Sequence, residues 1–470
     1  VVPDDEGGGV MRADLLYDGI DGLDEALAAV DGFDEVLVSG LLRPGPAQAA
    51  GLAGVAEAVA GSPLAARVAE AAEKAAAGTA GEDHLVALAG ARTALLGSAH
   101  DALLARVEEA IGRTRAEEDG TAPADAAEPS ANLLAAARSW LCDLARAGWH
   151  GIDHELIAGA APVVSAMLPD PALRRQATLL DGFAAELAAS CLGASLERVP
   201  VRRWADLWSR AMLLTLPGAA SAPAVGEATG RLLPLGVDVQ EHATAVQAQV
   251  HAVFEPADGG TPRLVRASVS APKPDTVVGA GLWQLLRPHM SLLAAVSEGR
   301  AMDLDAMPVS GEGDLIWDDA RARTGEPAEV FATARVALPT AAAFATAPLD
   351  RHPARIAVPV LLEGYAVEED AFQVAGVRLA VDSDRVPAAG PLTPEAVASS
   401  GACVGLLRWD AGEFLVQPLA VERMVRKKAV AVHAGAWAGG TADKAGIRAE
   451  KAATDAVKVL RERAGKLLRK

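Results

Sequence analysis

The segment TAVQAQVHAVFE, residues 244–255, puts Val246, Ala248, Val250, Ala252 and Phe254 on one side of an extended chain and Gln247, Gln249 and His251 on the other. PADGG (256–260) follows, and RLVRASVSA (263–271) resumes the alternation through Val265, Ala267 and Val269. Two period-two runs around a Gly-rich loop predict an antiparallel hairpin over 243–271 with one wet face. His251 falls on that wet face, either as a solvated residue or as part of a surface for a partner strand or ligand.

Strand-like runs recur downstream at Val330–Leu338, Ile356–Tyr365, Phe372–Val381, Cys403–Trp409, Phe414–Val421 and Ala429–His433. A β-rich region is therefore expected over 230–437, with a small barrel or sandwich over about 329–437. Residues 277–307 read as mostly helical. Upstream the period is that of helices. An acidic, Ala-rich region over 1–116 contains helical text from Pro63 to Gly78, His84 to Gly97 and Ala99 to Gly112. A polar linker, 117–130, leads to a second helical region over 131–217, whose Trp140, Trp149, Trp204 and Trp208 read as core or inter-helix anchors, with a peptide groove as the alternative. A Lys-rich helix is expected over 441–470. The fold class that results is α+β: an Ala-rich helical N-terminal half, an antiparallel β-rich C-terminal half and a basic C-terminal helix.

The 470 residues are 51% hydrophobic but only 4% aromatic, so Ala supplies much of the apolar text and large core side chains are few. Three widely spaced cysteines (Cys142, Cys191, Cys403) do not make a disulfide framework and point to a reducing, cytoplasmic setting. With no run of about 20 apolar residues, neither a membrane span nor a secretion signal is expected.

The search for chemistry is mostly negative. No G-x-x-x-x-G-K-[ST] phosphate loop and no C-x-x-C pair occurs, and the pair Gly279/Gly281 lacks the third glycine of a dinucleotide fingerprint. Ser270 and Lys273 match S-x-x-K, but Pro272 and Pro274 prevent the helical turn that chemistry needs. Asp303/Asp305 and Asp318/Asp319 lie in loop-like text and read as solvated acids. His150 and His154 are spaced i, i+4 beside Asp153 and Glu155, a set that a transition metal accepts. Gly148 and Gly151 interrupt that turn, and the competing reading has Asp153 capping a helix that begins near His154. No cofactor is expected.

Charge gives the sharpest anomaly. The chain carries −19 overall, yet residues 421–470 sum to +8, and seven of nine lysines lie between Lys427 and Lys470. The acidic body disfavours a nucleic-acid footprint for the whole chain. Lys427, Lys428, Lys444, Lys451, Lys458 and Lys466 are the candidate interaction residues, for a protein partner first and for nucleic acid or an anionic surface second.

The stretches RSWLCDLARAGWHGIDHELI (138–157), RRWADLWSRAMLLT (202–215) and RLVRASVSAPKPDTVVGAGLWQLLR (263–287) resemble an uncharacterised family of high-GC actinobacteria. Its members accompany MoxR-type AAA ATPases, von Willebrand A proteins and SWIM zinc-finger proteins. The resemblance implies an accessory role, with a MoxR-type ATPase or von Willebrand A protein as partner, and it transfers no site residues. The expectation is a non-enzymatic cytoplasmic adaptor. The alternatives are an enzyme with a site near His150/His154 or in the inter-domain cleft, and a protein that binds nucleic acid through its basic tail.

Overall fold

The computed structural model describes residues 11–113, 130–190, 199–219, 225–242, 244–441 and 444–467. Residues 117–129 of the linker, Cys191 and the end of the Lys-rich stretch lie outside them. Helices fill the first half: α1 (Leu23–Ser39), α2 (Pro46–Ala58), α3 (Ala65–Ala76), α4 (Glu82–Ile111), α5 (Ala131–Ala147), α6 (His154–Ala158), α7 (Ala160–Met167), α8 (Arg174–Ala189) and α9 (Val201–Leu213). Small residues let these helices approach closely. A Cβ on Gly51 would meet the Gly32 carbonyl oxygen at 2.7 Å, so α1 and α2 cross where neither bears a side chain. The two expected helices, His84–Gly97 and Ala99–Gly112, are one helix, α4. A helical glycine costs only about 1 kcal/mol, and the burial of Leu95, Leu96, Ala99 and Leu103 around Gly97 outweighs it.

The tryptophans do what their spacing predicts. Trp149, Trp204 and Trp208 are fully buried, and Trp140 nearly so. Trp149 meets Trp204 and Phe183 edge-on, at centroid distances of 5.9 and 6.2 Å. Buried indole N–H groups find acceptors in Trp140 and Trp208, which donate to the Leu156 and Leu141 carbonyls.

The β half begins earlier than its sequence pattern suggests, with β1 (Val225–Glu241), β2 (Ala245–Pro256) and β3 (Arg263–Pro272). The expected hairpin is β2–β3, antiparallel with Val250 opposite Ala267. α10 (Leu282–Leu285) and α11 (Met290–Glu298) follow, then β4 (Arg300–Ser310), β5 (Asp314–Leu315) and β6 (Ala322–Pro327). The helical reading of 277–307 thus ends at Gly299, whose left-handed backbone turns α11 into β4. The first sheet runs β1-β2-β3-β5-β4-β6, and β4 also pairs with β1. Only three register pairs through β5 complete that curl, so it does not close into a barrel.

Next come α12 (Val330–Val336), β7 (Val358–Glu363), β8 (Ala366–Glu368), β9 (Ala371–Val374), β10 (Val377–Val381), α13 (Pro394–Ala398), β11 (Ala402–Asp410), β12 (Glu413–Val425), β13 (Lys428–His433) and α14 (Lys444–Leu467). The expected strand Val330–Leu338 is helix α12. An apolar run of that length does not distinguish a strand from a buried helix by period alone, and here Phe331 and Ala334 fit into the core between the sheets. The run Phe372–Val381 is two strands joined at Ala375 and Gly376, both with positive φ. The second sheet is open, ordered β7-β11-β12-β10-β9-β8, with β13 added to β12. Sheet packs on sheet, as in a sandwich, but the opposing layer comes from 225–327. Leu233, Leu235 and Val253 meet Val404 and Ala420 across the gap.

That gap holds a buried polar network. Gln417 Nε2 donates to Asp238 Oδ1 at 2.7 Å, Arg408 Nη2 to Asp238 Oδ2 at 3.1 Å, and Arg408 Nε to Gln417 Oε1 at 2.6 Å. His251 lies beside it and is 1% exposed, not on a wet face. The β1 register shifts between Pro234 and Gly236, opposite His251, and the imidazole is buried near Asp238 and Arg408, whereas Ser268 and Ser270 keep the rest of that face exposed. Burial pushes the His251 pKa down to about 3; Asp238 opposes this, and Arg266 and Arg408 add to it.

The unfolded chain then binds the extra proton between the ordinary histidine value of 6.5 and the folded value, so stability is lost as pH falls through that window. Denaturant titrations should show the wild type losing about 3 kcal/mol more than His251→Leu between pH 7 and pH 4.5. Equal acid sensitivity in the two proteins would mean that the imidazole is not held neutral.

Candidate functional site

The described side chains of chemical interest converge most densely where α4 and α9 meet residues 349–355 of the β half. α9 is amphipathic. Trp204, Ala205, Trp208, Ala211 and Met212 face the helical core, which leaves Arg202, Asp206 and Arg210 about one turn apart along another side, with Arg203 beside them. α4 contributes Arg92, Thr93 and Leu96. Pro348 and Pro353 start two short 3₁₀ turns that bring Leu349, Arg351, His352 and Arg355 across the opening. The cleft, open on one side, has a volume of about 450 Å³.

Arg92 is 1% exposed and donates from Nε to Asp34 Oδ1 at 2.6 Å and from Nη2 to Asp34 Oδ2 at 2.9 Å. The same Nη2 lies 2.7 Å from Asp206 Oδ1. Burial pushes the Asp34 pKa up to about 6 despite Arg92, whereas Asp206, where burial acts in the same direction, is held below its ordinary value by His352 and Arg92. At the far side Asp350 receives Arg210 Nη2 at 2.6 Å and Arg355 Nη1 at 2.5 Å on one oxygen, with Arg175 3.7 Å from the other. Arg351 lies 3.3 Å from Asp101, which ties the strap 349–355 to α4, and just past the end of α4 Arg113 donates to the Pro359 carbonyl of β7 at 3.2 Å.

Ser209, His352 and Asp206 invite comparison with a hydrolytic triad, and the geometry rejects it. His352 Nδ1 accepts from the Ala354 N–H at 3.1 Å. Its proton is therefore on Nε2, which faces Asp206 Oδ1 at 3.4 Å. No ring nitrogen is left to accept a serine proton.

The sequence candidates are placed elsewhere. His150 is exposed in a 3₁₀ turn, and His154 is exposed on the first turn of α6, so the two do not share one helix. No group of three metal-ligating residues occurs among the described residues. Asp153 is the cap, accepting the Leu156 N–H at 2.8 Å. Lys273 is buried and paired with Glu241 at 3.1 Å. Asp303 and Asp305 are exposed on β4 rather than in a loop, and Asp318 caps a short turn.

The six lysines divide between two places. Lys427 and Lys428 form and follow the β12–β13 turn, and Lys444, Lys451, Lys458 and Lys466 are exposed along α14. At 3.6 residues per turn these four fall within an arc of roughly 80°. Arg448, Asp455 and Glu462 share it, so the α14 face is mixed in charge. Gln284 fastens α14 to α10, donating to the Glu450 carbonyl at 2.8 Å and accepting from Thr454 at 2.9 Å.

The cleft residues were legible only in part. The polar stripe of RRWADLWSR (202–210) against its tryptophan stripe, and the Arg/His/Pro cluster LDRHPAR (349–355), were the available signals. Comparison with protein-family models, curated proteins and solved structures finds no match.

Asp153→Ala should cost about 1 kcal/mol through loss of the cap, whereas His150→Ala and His154→Ala should each stay within about 0.5 kcal/mol. A zinc-dependent gain in melting temperature that His154→Ala abolishes would restore the metal reading. Arg92→Leu should cost about 3–5 kcal/mol, because it strands Asp34 and Asp206. Equilibrium denaturation measures both effects.

Proposed function

We propose that this chain is a non-enzymatic interaction protein, an adaptor that docks an acidic, extended segment of a partner protein along β13. The supporting observation is a cationic turn at the head of an open strand edge. Arg426 and Lys427 form a two-residue hairpin loop with φ of +49° and +66°, the conformation that Asn-Gly favours and that other side chains adopt at a cost of about 1–2 kcal/mol each. A turn that keeps two long cations in unfavourable backbone conformations fits selection for binding better than selection for stability. Met424, Val425 and Val430 are exposed beside it, with Met424 at 68%.

β13 pairs with β12 alone among the described residues. Val425 and Lys428 close the hairpin as a bonded pair, so Ala429 and Ala431 turn their N–H groups outward. An added strand would take these bonds, and its acidic side chains would meet Arg426, Lys427 and Lys428. The mixed charge of α14 makes the turn a better cationic anchor than the tail, and it weighs against nucleic acid. The resemblance names the first natural partners to try, a MoxR-type ATPase or a von Willebrand A protein. Two buried cysteine thiols, Cys142 and Cys403, with pKa values raised by burial, suit a reducing cytoplasm.

A fluorescent ten-residue peptide alternating Val and Glu should bind, with affinity at least tenfold weaker in Lys427→Glu/Lys428→Glu and abolished in Ala429→Pro. Ala429→Pro removes an outward N–H without breaking the β12 ladder. Peptide affinity unchanged in both variants would sink the proposal. In the same assay Arg426→Asn/Lys427→Gly should bind more weakly, while denaturation shows it to be about 1 kcal/mol or more stabler.

A further inference from the structure

We propose that the cleft between α4, α9 and residues 349–355 is a binding site for a phosphate-bearing small molecule, gripped by Arg210 and Arg355 with the Ser209 hydroxyl as an additional donor. This is independent of docking at β13.

Three guanidiniums, those of Arg175, Arg210 and Arg355, converge on the single carboxylate of Asp350. Glu312 is the other carboxylate acting on this cluster, and burial makes it harder to ionise. The cations outnumber the acids, and their mutual repulsion is relieved by an added anion. Arg355 uses Nη1 on Asp350, which leaves Nε and Nη2, two donors of a fork that matches two phosphate oxygens. Arg210 gives Nη1 to the Leu349 carbonyl at 3.0 Å and Nη2 to Asp350 at 2.6 Å, which leaves its Nε for a ligand, and the remaining arginines of the cleft are paired: Arg92 with Asp34 and Asp206, Arg202 with Asp31, Arg203 with Glu186 and Arg351 with Asp101. They set the field of the cleft without competing for the ligand.

Ser209 is the second, independent pointer. It is 2% exposed, lines the cleft, and its Oγ has no hydrogen-bond partner among the described residues. A buried hydroxyl left unsatisfied is unfavourable, and a ligand oxygen would satisfy it. The volume of about 450 Å³ falls in the range of small-molecule sites and exceeds what one phosphate fills. Leu96, Leu207 and Leu349 add aliphatic wall for a carbon skeleton. The chemistry is that of an organic phosphate ester.

Calorimetric titration at fixed ionic strength, with glucose 6-phosphate, pyrophosphate and citrate as probes, tests this. The wild type should bind at least one of the two phosphate probes saturably, and more tightly than citrate. Arg355→Gln should weaken that binding at least tenfold and Ser209→Ala by several-fold, with both variants retaining the wild-type circular dichroism. Arg355→Lys, which keeps the charge and loses the fork, serves if Arg355→Gln does not fold, and it too should bind more weakly. No saturable binding of either phosphate probe, citrate bound as tightly, or affinity unaffected at Arg355 would each overturn the assignment.

Discussion

The helical half is organised around one buried cation. Arg92 sits in the middle of α4 and joins α1 through Asp34 to α9 through Asp206. Removing three charges from water is costly, and such clusters often contribute less to net stability than apolar residues of the same volume would. What they restrict is arrangement. An Ala-rich bundle has many nearly equivalent ways to pack smooth helices, and only the register that brings Asp34 and Asp206 to Arg92 leaves no charge stranded. Asp206 then carries the constraint outward to His352, so the same cluster that sets helix register also seats the strap from the β half. The cleft exists because this chain of contacts holds its walls apart with charged side chains rather than collapsing them with apolar ones.

The β half repeats the device with different residues. Asp238, Arg408 and Gln417 satisfy one another in the gap between two sheets, where a slip of one residue in β1 would turn Asp238 away and strand Arg408. Gly236, at the shift in the β1 register, admits Leu419, which a Cβ there would meet at 2.7 Å. His251 is the flaw in this arrangement: buried, neutral and with Nε2 unsatisfied. It is a place where lowered pH should be felt.

The legible parts of this fold were those whose signal is local. The β2–β3 hairpin followed from alternation, the tryptophan core from helical spacing and the Asp153 cap from one residue before a helix. The parts that escaped depend on partners distant in sequence. β1 contains LLPLGV (232–237), a continuous apolar run with no alternation, because the sheets bury both of its faces in the middle. Val330–Leu338 is β-branched and apolar enough for a strand, and only its position between two sheets makes it a helix. The cleft combines residues from near positions 92, 206 and 352, and nothing in any one of these segments announces the other two. His150 and His154 erred in the opposite direction, with the right spacing in a chain that does not form one helix there.

Arginine and lysine are not used alike in this chain, and the difference bears on where a partner would bind. Among the described residues the one lysine ion pair is Lys273 with Glu241, whereas arginines make nearly all the rest. A planar fork fixes geometry between elements and loses less freedom per hydrogen bond, so it suits buried and interfacial pairs. A lysine ammonium on a flexible stem is better left in water. Lysines are scarce, and seven of the nine lie between Lys427 and Lys470, at the β12–β13 turn and along the C-terminal stretch. Among the described residues those lysines make no ion pair, which leaves them available to a partner. The arginines of the cleft are engaged, and the ligand that fits there must be one that completes an existing charge network rather than one that simply finds free positive charge.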